Sequence, residues 1–206
     1  MKKVACYIDG FNLYHAIDAL QLNYLKWLDL DKLAKSFLRQ EEELSKVVYF
    51  TALMTWEKQK HDRHIQYLNA LENSKVTTVV SNFKKVRKSC SSFGRSCNFH
   101  EEKQTDVAIS SHILSAAVQD NLSRIIIITA DSDQIPTLKA MKELSPSTII
   151  TLVAPPNRAS HSRELREFAN DHKEIKVGRL ENCLFPRNVL NSSGRLVASS
   201  PSSYQK

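Results

Sequence analysis

The sequence contains little glycine and no long hydrophobic run, and both absences exclude classes of protein. Only four glycines occur among 206 residues. Neither the Gly-x-Gly-x-x-Gly pattern of dinucleotide sites nor a Walker A motif is present, which disfavours nucleotide-cofactor binding. No apolar stretch has the length of a membrane span, and Met1, Lys2 and Lys3 lead directly into a predicted strand. These features predict a soluble, cytoplasmic protein without a membrane segment.

Cysteine is also scarce, and its spacing gives no disulfide framework. The four cysteines are Cys6, Cys90, Cys97 and Cys183. Cys90 and Cys97 flank a short loop that precedes His100, so two interpretations stay open. One is a zinc site, although the spacing is not Cys-x-x-Cys and no fourth ligand is evident. The other is a loop between two strands with its thiols reduced.

Composition and charge predict one domain with an anionic partner. Hydrophobic residues make up 42% of the chain, enough for a core, and 29 Lys and Arg against 22 Asp and Glu give a net charge of +7. A basic balance favours nucleic acid as the partner. We expect one domain over residues 1–187. Residues 188–206 contain six serines and little apolar periodicity, which predicts a flexible tail.

Alternating strand and helix patterns predict an α/β fold. The four consecutive isoleucines at 125–128 indicate a strand buried on both faces, as in a parallel sheet. Further strands are predicted at 4–8, 46–53, 76–80, 148–153 and 174–177, separated by helical patterns that include 57–73, 135–144 and 162–170. This order predicts a mostly parallel central sheet with helices on both faces.

Acidic residues follow two of these predicted strands. Asp131 and Asp133 come directly after the isoleucine strand, and Asp9 ends the first strand, with Asn12 close behind it. Ligands of open α/β sheets bind at the carboxyl ends of the strands, where neighbouring carboxylates favour a hard divalent cation. The alternative is structural: Asp131 or Ser132 caps the helix that begins near residue 135.

A third acidic position is Asp106, in the first turn of a predicted amphipathic helix. An aspartate there also has a structural explanation, since a carboxylate near a helix N-terminus interacts favourably with the helix dipole. Three carboxylate positions that can converge favour the metal site over separate structural roles.

Residues 82–100 are predicted to form an inserted hairpin or loop rich in basic residues. Phenylalanines at 83 and 93 alternate with the cations, and this combination suits a phosphate backbone with a base stacked on a ring. The alternative is a solvated basic hairpin whose phenylalanines pack inward. Together with the basic residue that follows, the candidate substrate-binding residues are Lys84, Lys85, Arg87, Lys88, Arg95 and Lys103.

Three motifs carry a resemblance to a known family. They are Tyr-Ile-Asp-Gly-Phe-Asn-Leu at 7–13, Glu-Lys-Gln-Thr-Asp-Val at 102–107 and Thr-Ala-Asp-Ser-Asp-Gln-Ile-Pro at 129–136. With the segment at 154–158 and Glu164–Leu165, the chain resembles the NYN domain family, the LabA-like branch of the PIN-like nucleases, over residues 1–187. Ala130 departs from the usual glycine, a small change that keeps the turn.

The resemblance implies a Rossmann-like PIN fold and a metal-dependent ribonuclease, in particular an endoribonuclease. Asp9, Asp106, Asp131 and Asp133 fall on the family's acidic positions, which implies that they bind Mg²⁺ or Mn²⁺. Asn12 falls on its usual polar position. PIN-like domains commonly pair, which also implies a possible homodimer, and a regulatory protein partner is left unidentified.

The expected mechanism needs no nucleophilic side chain, because a bound cation supplies hydroxide from water near neutral pH. Asn12 and Ser132 are expected to orient that water or a phosphate oxygen. Two alternatives stay open: a nucleic-acid-binding or regulatory module with weak or no cleavage, and a metal-dependent phosphatase. The retained aspartates favour the nuclease over the module, and the basic insertion favours it over the phosphatase.

Overall fold

The computed structural model describes residues 1–89 and 96–205, and it describes side chains there except at 87–89 and 96–99. Its centre is a seven-stranded sheet in the order β4-β3-β2-β1-β5-β6-β7. All neighbouring strands are parallel except β4, which runs antiparallel to β3. The strands are β1 Lys2–Asp9, β2 Glu42–Ala52, β3 Val76–Ser89, β4 Ser96–Lys103, β5 Arg124–Ile128, β6 Ile149–Ala154 and β7 Asp171–Glu174.

Helices cover both faces of this sheet, which confirms the predicted fold class. They are α1 Gly10–Asp18, α2 Leu30–Lys35, α3 Lys58–Asn73, α4 Thr105–Gln119, α5 Ile135–Leu144, α6 Arg163–Arg166 and α7 Val177–Glu181. Side chains of α1, α2, α3 and α7 pack into one apolar core, and those of α4, α5 and α6 pack into a second. Within the described chain, no helix is long and apolar enough to span a bilayer.

The isoleucine strand β5 separates the two cores. Ile126 and Ile128 point into the first core, whereas Ile125 and Ile127 point into the second, and all four are buried. Successive side chains of a strand alternate between faces, so a strand buried on both faces is apolar at every position. The absence of polar residues from this run therefore follows from its central place in the sheet.

A buried ion pair joins β5 to the start of β2. Arg124 is fully buried, and its guanidinium donates to both carboxylate oxygens of Glu42, to Thr151 Oγ1 at 3.1 Å and to the Phe37 carbonyl at 3.0 Å. Burial alone raises the pKa of Glu42, but hydrogen bonds from Arg124 and the Arg39 amide hold it below its usual value. Both charges are thus satisfied inside the protein.

The C-terminal segment is ordered, so the prediction of a flexible tail over residues 188–206 is wrong for residues 188–205. Strands β8 Asn188–Leu190 and β9 Leu196–Ser199 form an antiparallel hairpin, followed by a 3₁₀ turn at Ser202–Tyr204. Val189 and Ala198 are buried in the first core. Two buried side chains are too few to produce an apolar pattern among serines, which explains the error.

Two other elements differ from the expected bounds. The helix predicted at 162–170 is a single turn, Arg163–Arg166, and the strand predicted at 174–177 lies three residues earlier, at Asp171–Glu174. The inserted segment is a hairpin: β3 and β4 pair from Asn82 with Lys103 to Ser89 with Ser96. Its turn lies outside the described residues.

Candidate functional site

A cleft of about 590 Å³ opens at the carboxyl ends of β1 and β5. These two strands are neighbours, and the helices that follow them, α1 and α5, pack on opposite faces of the sheet. That arrangement creates a crevice between the two strand ends, the usual ligand position in open α/β sheets. Its lining residues are Asp9, Phe11, Asn12, His15, Glu102, Thr105, Asp106, Ala130, Asp131, Ser132, Arg158 and His161.

Asp9 is the buried carboxylate at the base of this cleft, with 7% of its surface exposed. One oxygen accepts the Asn12 backbone N–H at 3.0 Å, which caps α1, and the other accepts the Thr129 hydroxyl at 2.9 Å. Burial raises the pKa of Asp9 to about 6, and the nearby carboxylates of Asp106 and Asp131 add to the rise. Asp9 therefore carries its negative charge at a cost that a cation would reduce.

Asn12 connects the two strand ends. Its side-chain oxygen accepts the Ala130 backbone N–H at 3.0 Å, which ties the turn after β5 to the first turn of α1. Because the oxygen is engaged, the amide nitrogen is the group of Asn12 that can donate into the cleft. The residue thus has a structural role in addition to the predicted functional one.

Asp131 combines the two interpretations of the sequence. Its Oδ1 accepts the Asp133 backbone N–H at 3.0 Å, capping the 3₁₀ turn Ser132–Gln134 that leads into α5. The same half-buried side chain and that of exposed Ser132 line the cleft. Asp133 is exposed and does not line the cleft, although its carboxylate is close enough to raise the pKa of Asp106.

Asp106 enters the cleft from the second residue of α4, which begins directly after the β3–β4 hairpin. Its pKa is raised by partial burial and by the carboxylates of Asp131 and Asp133. The structure therefore places three of the four predicted acidic residues around one space, with Asp133 beside it.

Glu102 is a fourth lining carboxylate that sequence reasoning missed. It lies near the end of β4, and its buried Oε1 has no hydrogen-bond partner. Burial raises the pKa of Glu102, and Asp9 and Asp106 raise it further. Because β4 runs back antiparallel to β3, its last residue, Lys103, pairs with Asn82, next to the carboxyl end of β2. The sequence predicted no strand that ends here, so the strand-end rule was not applied to this residue. Its membership of the motif at 102–107 was the available signal.

Arg158 and His161 were also missed, although a signal existed. They follow β6, the strand next to β5, so the strand-end rule that found Asp131 applies to this segment too. Arg158 introduces a cation among the carboxylates, which suits an anionic group of a ligand. His15, one turn into α1, also lines the cleft, whereas His112 lies elsewhere, with its ring 5.3 Å from that of Phe50.

The cleft fits a hard divalent cation in its donor chemistry. Carboxylate oxygens are the ligands that Mg²⁺ and Mn²⁺ prefer. Burial raises the pKa values of Asp9, Asp106 and Glu102, and neighbouring carboxylates raise them further. The Glu102 Oε1 atom, which has no hydrogen-bond partner, is a further oxygen ligand for such a cation. Among the described side chains, however, no group of three or more His, Cys, Asp or Glu residues is already spaced to hold a metal ion.

The candidate substrate-binding residues with described side chains, Lys84, Lys85 and Lys103, lie on strands β3 and β4, where register puts Lys84 and Lys85 on opposite faces. Lys85 is opposite His100, on the same face as Phe83 and Glu102, whereas Lys84 is on the other face. Lys84, Lys85 and Lys103 are exposed, and Lys103 forms an ion pair with Glu101 at 2.9 Å.

Several predictions concern positions for which no structural detail is described. Arg95 and Cys90 lie outside the described residues, as do the side chains of Arg87, Lys88 and Cys97. The choice between a zinc site at Cys90, Cys97 and His100 and a loop with reduced thiols therefore falls on positions outside the described side chains. His100 itself stacks on Trp56, with ring centroids 3.6 Å apart.

Comparisons with known proteins agree with this architecture. A family model described as NYN domain matches residues 3–176, most of the chain. The crystal structure of a protein of unknown function from Vibrio parahaemolyticus is similar in fold, with a TM-score of 0.58 at 18% sequence identity. The similarity covers 89% of this chain and 96% of the Vibrio chain. No curated protein matches the chain significantly.

Proposed function

Because the chain belongs to the NYN domain family of PIN-like nucleases, we propose that it is a metal-dependent ribonuclease that hydrolyses RNA phosphodiester bonds. One observation carries the proposal. Asp9, Glu102 and Asp106 lie in β1, β4 and α4, and Asp131 lies in the turn after β5, yet all four side chains line one cleft that also contains Arg158. A catalytic centre for phosphate chemistry accounts for this convergence better than four unrelated structural roles.

In this proposal the four lining carboxylates hold Mg²⁺ or Mn²⁺, with Asp133 acting through Asp106 or through water. When bound there, such a cation would supply a water of lowered pKa and positive charge for the phosphate. Ser132 and the Asn12 amide nitrogen orient the water or a phosphate oxygen by hydrogen bonding. The Arg158 guanidinium binds a non-bridging phosphate oxygen, a role suited to its planar set of donors.

A second candidate function is a nucleic-acid-binding or regulatory module with little cleavage. The observation that favours it is the lack, among the described side chains, of a carboxylate group already spaced to hold an ion. A module would bind RNA through the basic hairpin without using the acidic cleft. Catalysis and binding must therefore be measured separately.

The test is cleavage of a labelled circular RNA with Mn²⁺, Mg²⁺ or chelator. We expect metal-dependent linear products, since opening a circle requires endonucleolytic action. Asp131→Asn should lower the rate about hundredfold or more, because several kcal/mol of transition-state stabilisation depend on the cation. The amide keeps the oxygen that caps the turn at Asp133, so the fold should persist.

The matched control is Asp31→Asn, which removes the same charge from α2, where Asp31 pairs with Lys35. It should cleave at the wild-type rate. Equal rates for Asp131→Asn and the wild type would disprove the proposed mechanism. RNA binding without metal-dependent cleavage would support the module, and turnover of a small phosphate ester with inert RNA would support a phosphatase.

A further inference from the structure

A second cavity, of about 410 Å³, adjoins the acidic cleft. Phe11 and His15 line both spaces, so the two cavities are neighbours along α1. We call the second cavity the aromatic groove, because six of its lining residues, besides Phe11, are Tyr14, Tyr49, Trp56, Tyr67, Phe83 and Tyr204. The last of these comes from the C-terminal 3₁₀ turn, which therefore helps to form the groove.

Aromatic rings in this groove form a series of contacts that begins beside the acidic cleft. The Phe11 ring meets Phe83 at 5.6 Å, and Phe83 meets Trp56 at 5.0 Å, both edge to face. Trp56 then stacks on His100. Trp56 and Tyr14 are 39% and 40% exposed. Large aromatic side chains exposed next to a cleft are typical of a surface that binds a ligand.

The polar groups of the groove suit a heterocyclic ring. His64 Nε2 lies 3.2 Å from the hydroxyl of buried Thr51, so an imidazole and a hydroxyl together offer hydrogen-bond donors and acceptors. Burial lowers the pKa of His64 to about 4, so the ring is neutral near pH 7. Because Thr51 engages Nε2, Nδ1 of the neutral ring is the atom that can donate or accept one hydrogen bond, according to the tautomer, at the edge of a nucleobase.

The charges of the groove suit an anionic ligand. Lys26, Lys60 and Arg63 line it with one carboxylate, Asp18. Asp18 pairs with Lys26, and Lys60 pairs with Glu57 at 2.9 Å. Arg63 Nε is buried without a hydrogen-bond partner, so a donor is available there. Aromatic faces with nearby cations are the combination by which proteins bind single-stranded nucleic acid.

We propose that the aromatic groove binds one unpaired nucleobase of the same RNA strand whose phosphodiester lies in the acidic cleft. This inference rests on the proposed ribonuclease function and adds a requirement to it. A base held in a helix cannot enter the groove without leaving its stack and its partner. The protein should therefore act beside unpaired nucleotides and discriminate against continuous duplex.

The test of the groove measures RNA affinity instead of RNA cleavage, so that the effect of the groove is separated from any effect on catalysis. The experiment measures anisotropy of labelled single-stranded RNA decamers with Asp131→Asn protein in chelator. Adding Trp56→Ala should weaken binding about tenfold, or 1.4 kcal/mol, within the range for loss of one stacked base. Trp56→Phe, which keeps a ring, should restore most of the affinity. Val118→Ala, at an exposed position of α4, should leave it unchanged.

Abasic substitutions in the RNA locate the interaction. At one nucleotide, removing the base should weaken binding about tenfold to the protein that retains Trp56. The same abasic RNA should bind the Trp56→Ala variant almost as well as intact RNA does, because both changes delete the same contact. Trp56 lies between β2 and α3 and is partly exposed, so its substitution should keep the fold, which thermal unfolding checks.

The outcomes separate this inference from the proposed function. RNA binding that neither Trp56→Ala nor any abasic position weakens would overturn the groove as a base site and leave the ribonuclease proposal intact. No RNA binding by the Asp131→Asn protein in chelator would also overturn the groove as a base site, whereas the ribonuclease proposal is decided by the circular-RNA cleavage assay. Adenosine or uridine monophosphate competing as tightly as the decamer would overturn the RNA assignment and identify a free mononucleotide as the ligand.

Discussion

At the scale of single residues, Gly10 shows how one missing atom positions the cleft carboxylate of Asp9 before it. A Cβ at this position would lie 2.3 Å from the Phe50 carbonyl oxygen and 2.7 Å from the Tyr49 ring. Both neighbours belong to β2, a central strand, so neither can move far. The sequence suggested that this glycine permits a tight turn; the structure shows that it allows α1 to begin directly against the sheet.

We therefore expect Gly10→Ala to lower the free energy of unfolding by about 1–3 kcal/mol, the usual cost of overpacking. Urea denaturation measures the change. The control is Gly178→Ala in α7, where a Cβ meets nothing within 4 Å and helix propensity favours alanine by about 1 kcal/mol. A Gly10→Ala protein as stable as the wild type would contradict the close approach.

His64 gives the protein a component of pH dependence. Burial lowers its pKa in the folded state to about 4, from 6.5 in the unfolded chain. Between these values the unfolded state binds more protons, so stability falls as pH decreases from 6.5 towards 4. We expect this residue to account for about 2 kcal/mol of the stability lost between pH 7 and pH 5.

The measurement is the free energy of unfolding of wild type and His64→Gln at both pH values. The variant should lose about 2 kcal/mol less than the wild type over this interval, because glutamine does not titrate. Equal losses in the two proteins would show that His64 titrates normally in the folded state.

At the scale of elements, the C-terminal hairpin is where local pattern and structure disagree most. Val189 and Ala198 of this hairpin are buried in the first core, and hydrogen bonds also join the hairpin to α3. The Asn73 amide donates to the Leu190 carbonyl at 3.2 Å, and the Ser199 backbone N–H donates to Gln66 Oε1 at 3.3 Å. Such contacts with a distant helix leave no periodic signal in the hairpin's own sequence.

Adjacent positions of β8 provide a matched test of this packing. Val189→Ser should lower the free energy of unfolding by about 1.5–3 kcal/mol, since a buried apolar side chain is lost. Leu190→Ser, on the 53% exposed neighbour, should change it by less than about 0.5 kcal/mol. Thermal or urea unfolding distinguishes the two. Equal small effects would mean that the hairpin does not pack in solution.

At the scale of the whole molecule, charge is divided between an acidic cleft and a basic remainder. The chain carries a net charge of +7, yet four carboxylates line the cleft. Positive charge outside the cleft attracts a polyanion, while the cleft itself repels phosphate unless a cation is bound. RNA binding should therefore depend on salt through the basic hairpin and on divalent cation through the cleft.

Strand register indicates which lysine of the hairpin should contribute to the salt dependence of RNA binding. Lys85 shares a face of the hairpin with Phe83, which contacts the groove residue Trp56, whereas Lys84 is on the opposite face. In Asp131→Asn protein with chelator, Lys85→Ala should reduce the slope of log affinity against log salt concentration by about 0.7, the value for one phosphate contact with a single strand. Lys84→Ala should leave the slope unchanged. Equal effects of the two substitutions would contradict the prediction that the RNA contacts the face of the hairpin that carries Lys85 and Phe83.

The sequence by itself determined the fold class and the positions of three cleft aspartates. Both are local signals: an apolar run such as 125–128 reports a strand buried on both faces, and a residue just after a parallel strand lies at the edge where ligands bind. The family motifs at 7–13, 102–107 and 129–136 report the same elements. These inferences needed no knowledge of which strands are neighbours.

Only the tertiary structure decided which distant residues join those aspartates. Glu102 enters the cleft because β4 is antiparallel to β3, and Arg158 does so because β6 lies beside β5. Tyr204 reaches the aromatic groove because the C-terminal hairpin packs against α3. Periodicity describes which face of an element is buried, whereas strand order and packing partners depend on contacts between residues far apart in the chain.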